Sequence, residues 1–382
     1  MHLRTYLLAA GAFAVGTSAY VVSGVLPAVS AELDVSLTAA GQLATAFALS
    51  YAVGAPLLAA AAGRWDRRTL LLAALLVAAA GNALSGLATD YPLLIAGRVV
   101  AALGAAAYTP AATLFATALR PASERGRAVA VVFGGLTLAL ALGVPAGSLL
   151  GGAIGYRWVF GLVAIVSLAV AAAVLAWLPR LSAPPAVSLR ERFAVAADRR
   201  VLTVLAVTVL GVLAVMSIYI YVVPLLTTTA GLDGPTIGLL LLAYGLGAIV
   251  GNSWGGRAAD RFGTLPTLFG VLTGMLVLTV TLPLTATTAV GAGLALFLWG
   301  TFTWSFNPPV QSLLLDLAPG GGGLVLALNA SAIYFGVALA GVFGGVVIDA
   351  VGVLVLPLLG AGLVGVVVLL LLTIRRPAPA LV

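Results

Sequence analysis

Arg98 lies about two turns inside an apolar segment long enough to cross a bilayer, and no other basic residue is placed that way. A guanidinium buried in hydrocarbon is costly, so it needs a partner or a path to the headgroups. Two readings are open. The side chain could snorkel to the outer surface, or it could face a cavity, binding substrate or biasing a nearby carboxylate. The nearest acids by depth are Glu32 and Asp34, just past the first apolar segment, and Asp34 with Arg98 is the candidate coupling pair. No Asp or Glu sits in the middle of any apolar segment. A proton-coupled carrier ordinarily keeps a titratable group there.

The remaining chemistry is uncharged. In the first segment Thr17, Tyr20, Ser23 and Pro27 recur at three- or four-residue steps and share one helical face. Further along stand Gln42, Thr45, Tyr108, Tyr219, Tyr244, Trp304, Asn307, Asn329 and Tyr334. Singly, each suits packing or an interhelical hydrogen bond. Together they describe a cavity with aromatic walls and few polar handles, fit for a neutral, partly apolar small molecule. Enzyme chemistry is disfavoured. The chain has no cysteine, its one histidine is His2 at the start, and no nucleophile–base pair lies within a span. There is also no lysine, hence no phosphate-binding Gly-x-x-x-x-Gly-Lys loop for ATP-driven transport. No metal or organic cofactor is expected, and a proton is the one coupling species left open.

The elements that position these residues follow from composition. Of 382 residues, 62% are hydrophobic and 8% charged, too apolar for a water-soluble core, so the bilayer is the expected partner. The net charge of +7 resides in arginines clustered in short loops, which marks membrane topology rather than a nucleic-acid groove. Spans are predicted at 5–30, 38–62, 69–88, 92–117, 127–150, 157–178, 201–226, 235–257, 265–284, 287–315, 324–349 and 352–374. The opening run could imitate a signal peptide, but it is long for one and many spans follow, so it reads as a retained first helix. With both termini in the cytoplasm, sixteen arginines fall inside and only Arg157 outside, the bias expected of a bacterial inner-membrane protein. The fold class is therefore an all-α integral membrane protein of twelve spans. Residues 1–178 and 201–382 form two six-helix bundles joined by a cytoplasmic linker at 179–200.

A duplicated loop supports that division. Asp66-Arg67-Arg68 follows the second span and Asp260-Arg261 follows the eighth, at equivalent places in the two halves. An acid at a helix end can pair with arginines and with exposed helix amides, so these loops are candidate cytoplasmic gates. In the fifth span, Gly143, Pro145 and Gly147 permit close packing and a bend.

These features together resemble the major facilitator superfamily, and within it the twelve-helix drug/proton antiporters. Gly97-Arg98-Val-Val-Ala-Ala-Leu-Gly104 resembles that family's Arg-to-Gly motif, and Gly143-Val-Pro145-Ala-Gly147 its antiporter motif. Leu315-Asp316-Leu-Ala-Pro319 with Leu328-Asn329-Ala-Ser-Ala resembles chloramphenicol-resistance exporters and arabinose-efflux-type permeases. The resemblance implies a cytoplasmic gate at Asp66, Arg67 and Arg68, and a coupling or substrate role for Arg98. Two positions depart from the pattern. Ala62 stands where the loop usually has glycine, and Ser18-Ala19 follows Gly-Thr where relatives often carry an acid. The expected function is export of small neutral or amphipathic compounds, antibiotics among them, by a monomer that alternates access and is proton-linked without a first-span carboxylate. A sugar or metabolite efflux permease, or an uncoupled facilitator, is the alternative.

Overall fold

The computed structural model describes residues 3–61, 65–119, 125–181, 198–232, 234–318 and 322–373. Among them the chain is helical, without strands. In order the helices are α1 (Leu3–Tyr20), α2 (Val22–Leu33), α3 (Leu37–Ala61), α4 (Arg67–Leu87), α5 (Tyr91–Ala118), α6 (Arg125–Leu138), α7 (Val144–Ile154) and α8 (Tyr156–Trp177). Then come α9 (Arg199–Ile220), α10 (Val222–Ala230), α11 (Gly234–Phe262), α12 (Thr264–Thr285), α13 (Ala289–Trp304), α14 (Asn307–Leu317), α15 (Gly322–Val351) and α16 (Leu356–Leu372). Eleven stretches are long and apolar enough to cross a membrane, and the pair α1–α2, bent by 44°, makes a twelfth span. The spans alternate between a terminal face, where α1 begins and α16 ends, and a far face.

Several helix starts are set by the acids between spans. Asp66 caps α4 by accepting from the amides of Arg68 and Thr69, Asp90 caps α5 through Leu93, and Asp198 caps α9 through Arg200. Where a helix is interrupted, the cause is local. A π-helical turn, Ala139–Gly143, precedes Pro145, so the fifth span bulges before the proline. The tenth span breaks at Ser305-Phe306, and Pro308-Pro309 occupy the first turn of α14. An amide there has no partner inside its own helix, so proline costs little at that place.

Each half packs mainly on itself. α4 lies against α5 and α8, and α1 against α5 and α6; α9 lies against α15 and α16, and α11 against α13. The halves meet along two helix pairs. α3 runs beside α15, and α11 packs chiefly on the π turn and α7, the far-face part of the fifth span, rather than on α6. α2 adds contacts to α10. By contrast α1, α5 and α14 find their main partners within their own halves. The seam between the halves is therefore closed on the far face.

Candidate functional site

The seam is built from periodicity. Thr38, Gln42 and Thr45 recur on one face of α3, and Ala338, Gly341, Gly345 and Asp349 on one face of α15. The Thr38 hydroxyl donates to Asp349 Oδ1 at 2.7 Å and to the Gly345 carbonyl at 3.2 Å. Gln42 Nε2 donates to the Gly341 carbonyl at 3.2 Å, and Thr45 Oγ1 to that of Ala338 at 3.1 Å. These bonds run to backbone carbonyls because glycines let the helices approach. A Cβ at Gly341 would lie 2.2 Å from Thr45 Oγ1, and one at Gly245 of α11 would lie 2.2 Å from the Ala141 Cα. Gln42 and Thr45, expected to line a substrate cavity, thus tie the two halves together.

Deeper in the seam the contacts become aromatic. Tyr20 of the first half meets Trp304 of the second edge-on, with ring centroids 6.3 Å apart. Tyr51 stacks on Tyr334 at 3.6 Å. Behind Trp304, its indole donates to the Tyr244 hydroxyl at 3.2 Å, and Thr303 Oγ1 shares that hydroxyl at 3.3 Å. Tyr219 stacks on Tyr244 at 4.6 Å, with Trp299 tilted against Tyr244 at 5.1 Å. The rings of Tyr20, Trp304 and Tyr334 are only half-buried, as expected of a cavity wall. Asn329, fully buried, accepts from Thr208 at 2.8 Å and donates to Asn307 at 3.2 Å, so these two asparagines brace α9, α14 and α15.

Arg98 occupies a separate compartment. It is fully buried, and its guanidinium does not reach the headgroups. Nη2 donates to the Ser18 carbonyl at 2.6 Å and Nη1 to Ser18 Oγ at 3.3 Å, while Ser18 in turn donates to Asn82 at 2.9 Å. The rings of Phe47 and Phe160 lie 4.5 and 5.1 Å from the guanidinium carbon, which favours the cation. Gly97 and Gly104 on the same helix bring α5 against α4: a Cβ at Gly104 would sit 2.4 Å from the Ala78 amide nitrogen. Among the described residues no carboxylate touches Arg98, and its Nε has no partner. The expected pairing with Asp34 does not form. Arg98 binds at Ser18, sixteen residues before Asp34, roughly 24 Å of helix at 1.5 Å per residue. Asp34 instead ends α2 in a left-handed conformation (φ 51) and is exposed.

Three more expected cavity residues lie elsewhere. The Tyr108 hydroxyl donates to the Leu8 carbonyl at 3.0 Å and clamps α5 to α1. Thr17 packs on Gly143, beside an apolar crevice of about 200 Å³ between α1, α7 and α8 whose outer residues Leu162 and Val166 face the lipid side. This crevice is separate from the inter-half seam. Ser23 is buried in α2. Ala19, at the place where relatives often carry an acid, is half-buried against the cluster that includes Tyr51 and Tyr334.

The duplicated loops behave differently. Asp66 accepts from the Thr69 hydroxyl at 2.6 Å and from the amides of Thr69, Arg68 and Leu181. Burial alone would raise its pKa, but these donors outweigh burial and hold the carboxylate below its ordinary range. Arg67 donates to the Leu114 carbonyl at 2.7 Å and Arg68 to that of Leu175. Asp66, Arg67 and Arg68 are thus bound to α5, α8 and Leu181 within the first half. Asp260 and Arg261 are exposed, the latter lying over the ring of Phe262 at 5.3 Å. Ser18, Asn82, Phe47, Phe160, Tyr51 and Asp349 escaped the sequence reading as members of these sites. Only Thr38 carried a signal, its spacing from Gln42 and Thr45.

Twelve apolar spans, a two-fold repeat and a sealed seam with an aromatic interior define a multi-pass membrane carrier. The model of the Major Facilitator Superfamily matches residues 8–322 and again 205–382, and the chain belongs to that family. It is 34% identical over 379 residues to the inner membrane transport protein YdhP of Escherichia coli (strain K12), covering 97% of this chain and 96% of the relative. It is 39% identical over 265 residues to a chloramphenicol resistance protein of Streptomyces lividans, covering 68% of each. Among solved structures, the D-xylose-proton symporter superimposes with a TM-score of 0.78 over 97% of both chains at 16% identity, a likeness of fold.

Proposed function

We infer that this carrier exports small, neutral or amphipathic aromatic compounds across the bacterial inner membrane, with its terminal face and both termini in the cytoplasm. The aromatic seam carries this reading: Tyr20 and Trp304 present half-buried rings, backed by the buried pair Tyr219 and Tyr244, with few hydrogen bonds and no fixed counter-charge. The arginine bias of the loops sets the orientation, and the chloramphenicol-linked relative supports the compound class. Closure on the far face corresponds to a cavity that faces the cytoplasm, where an exporter loads. One chain supplies both sides of the seam, so a monomer suffices.

Cells lacking their own exporters should accumulate less labelled chloramphenicol when they express the chain, and liposomes holding the purified protein should show its flux. A flux of labelled xylose but not of chloramphenicol or other neutral aromatics would replace this reading with the sugar permease.

One observation favours a second reading, an uncoupled facilitator. Arg98 is the only charged side chain buried among the described residues, and no carboxylate touches it. Chloramphenicol flux that does not respond to an imposed pH gradient supports the facilitator. Strong acceleration by the gradient favours a proton-linked exporter and directs the search for its proton site to the acids at the span ends.

A further inference from the structure

Tyr219 is 1% exposed, and its hydroxyl has no hydrogen-bond partner. A buried polar group left unpaired is costly, and one that persists at the centre of a site calls for an explanation. Its neighbours cannot supply the bond. The Tyr244 hydroxyl, on the ring stacked 4.6 Å away, is already shared with Thr303 and Trp304. Tyr219 lies in the last turn of α9, where the cap amide of Tyr221 takes the Ile218 and Tyr219 carbonyls. The Tyr219 ring stacks on Tyr244, whose hydroxyl bonds Trp304, and Trp304 meets Tyr20 of the other half.

We propose that the Tyr219 hydroxyl is the donor that selects the substrate: a neutral, planar aromatic compound carrying a carbonyl, nitro or ether oxygen. The proposal rests on the seam being the transport site. The half-buried rings of Tyr20 and Trp304, beside the buried Tyr219–Tyr244 stack, favour a flat aromatic body. A phenol donates better than it accepts, so the missing partner is an acceptor. A cation would also be drawn to ring faces, but the one buried charge among the described residues is the positive Arg98, so a cation is disfavoured.

The test uses purified full-length protein in nanodiscs and a matched pair of probes, 4-acetylbiphenyl and 4-isopropylbiphenyl. They differ by one acceptor, and binding is corrected for partition into protein-free discs. Wild type is expected to bind the acetyl compound roughly tenfold more tightly, the loss that one unsatisfied hydrogen bond brings. Tyr219→Phe should erase that difference by weakening the acetyl compound alone, and should melt at the same or a higher temperature because it removes an unpaired hydroxyl. A preference that survives in Tyr219→Phe overturns the proposal. Tighter binding of tetraphenylphosphonium than of 4-acetylbiphenyl overturns the assignment to neutral ligands. If wild type moves chloramphenicol yet binds neither biphenyl, this inference fails and the efflux reading stands. If it does neither, both fall.

Discussion

The two halves share a scaffold and differ in what they bring to the centre. The first span of each breaks midway, at Val21 in one and Tyr221 in the other, and each second span is closed by an Asp-Arg pair, before α4 in one and in the last turn of α11 in the other. Yet the first half places a buried cation among Ser18, Asn82, Phe47 and Phe160, while the second places a stack of Tyr219, Tyr244, Trp299 and Trp304 without charge. Duplication has kept the helix plan, because every span must still satisfy its backbone in lipid. The side chains buried between the spans are free of that demand and differ between the halves. One half supplies potential and the other supplies shape.

The sharpest way to break this contrast is to remove the charge. Arg98→Ala is expected to lower chloramphenicol flux in liposomes by at least tenfold, the change that goes with about 1.4 kcal/mol. Folded protein should still reach the membrane, since removing a buried charge without a carboxylate partner also removes its desolvation cost. Flux equal to wild type would show that the first half's charge is structural and that the halves differ only in packing.

A smaller effect should come from the seam that joins them. At Gly245 a Cβ would meet the Ala141 backbone at 2.2 Å, so Gly245→Ala must push α11 from the fifth span. Overpacking of this kind costs about 1–3 kcal/mol, enough to shift a two-state population by about fivefold or more. The chain has no cysteine, so Ser36→Cys with Val351→Cys gives a clean spin-labelled pair across the far face. Gly245→Ala should add a longer distance to that pair. Gly270→Ala, where no atom lies within 4 Å of the new Cβ, should not. Identical distributions in both would mean that the seam does not control opening.

Much of this was legible in the sequence. Apolar runs and positive loops gave the twelve spans, because bilayer thickness fixes their length. The repeat was visible at Asp66 and Asp260. The partners were not. Thr17 and Tyr20 share a helical face, yet that face is wide enough to meet two neighbours: Thr17 turns to Gly143 and Tyr20 to Trp304. The break at Val21 falls in a valine pair that carries no glycine or proline, so turn chemistry could not reveal it. The pairing of Arg98 with Asp34 was drawn from depth at the membrane surface. Rise along the helix rules it out, and the acids between spans were free to serve as caps.

The smallest expected effect separates the duplicated loops. Asp66 receives one hydroxyl and three amides, whereas Asp260 is exposed. Asp66→Ala should therefore cost about 1 kcal/mol, the usual loss for an N-cap, while Asp260→Ala should stay within about 0.5 kcal/mol. The sign of the pH dependence follows from the same donors. They hold the folded-state pKa of Asp66 below its unfolded value, so its contribution is present above the unfolded pKa near ~3.9 and is lost as pH falls through the lower folded value. Thermal melts in detergent should show Asp66→Ala below wild type at neutral pH, with the gap narrowing under acid. At neutral pH Asp260→Ala should melt close to wild type. Equal losses from both substitutions would mean that Asp260 also has a cap to lose, and that the two loops differ less than their surroundings do.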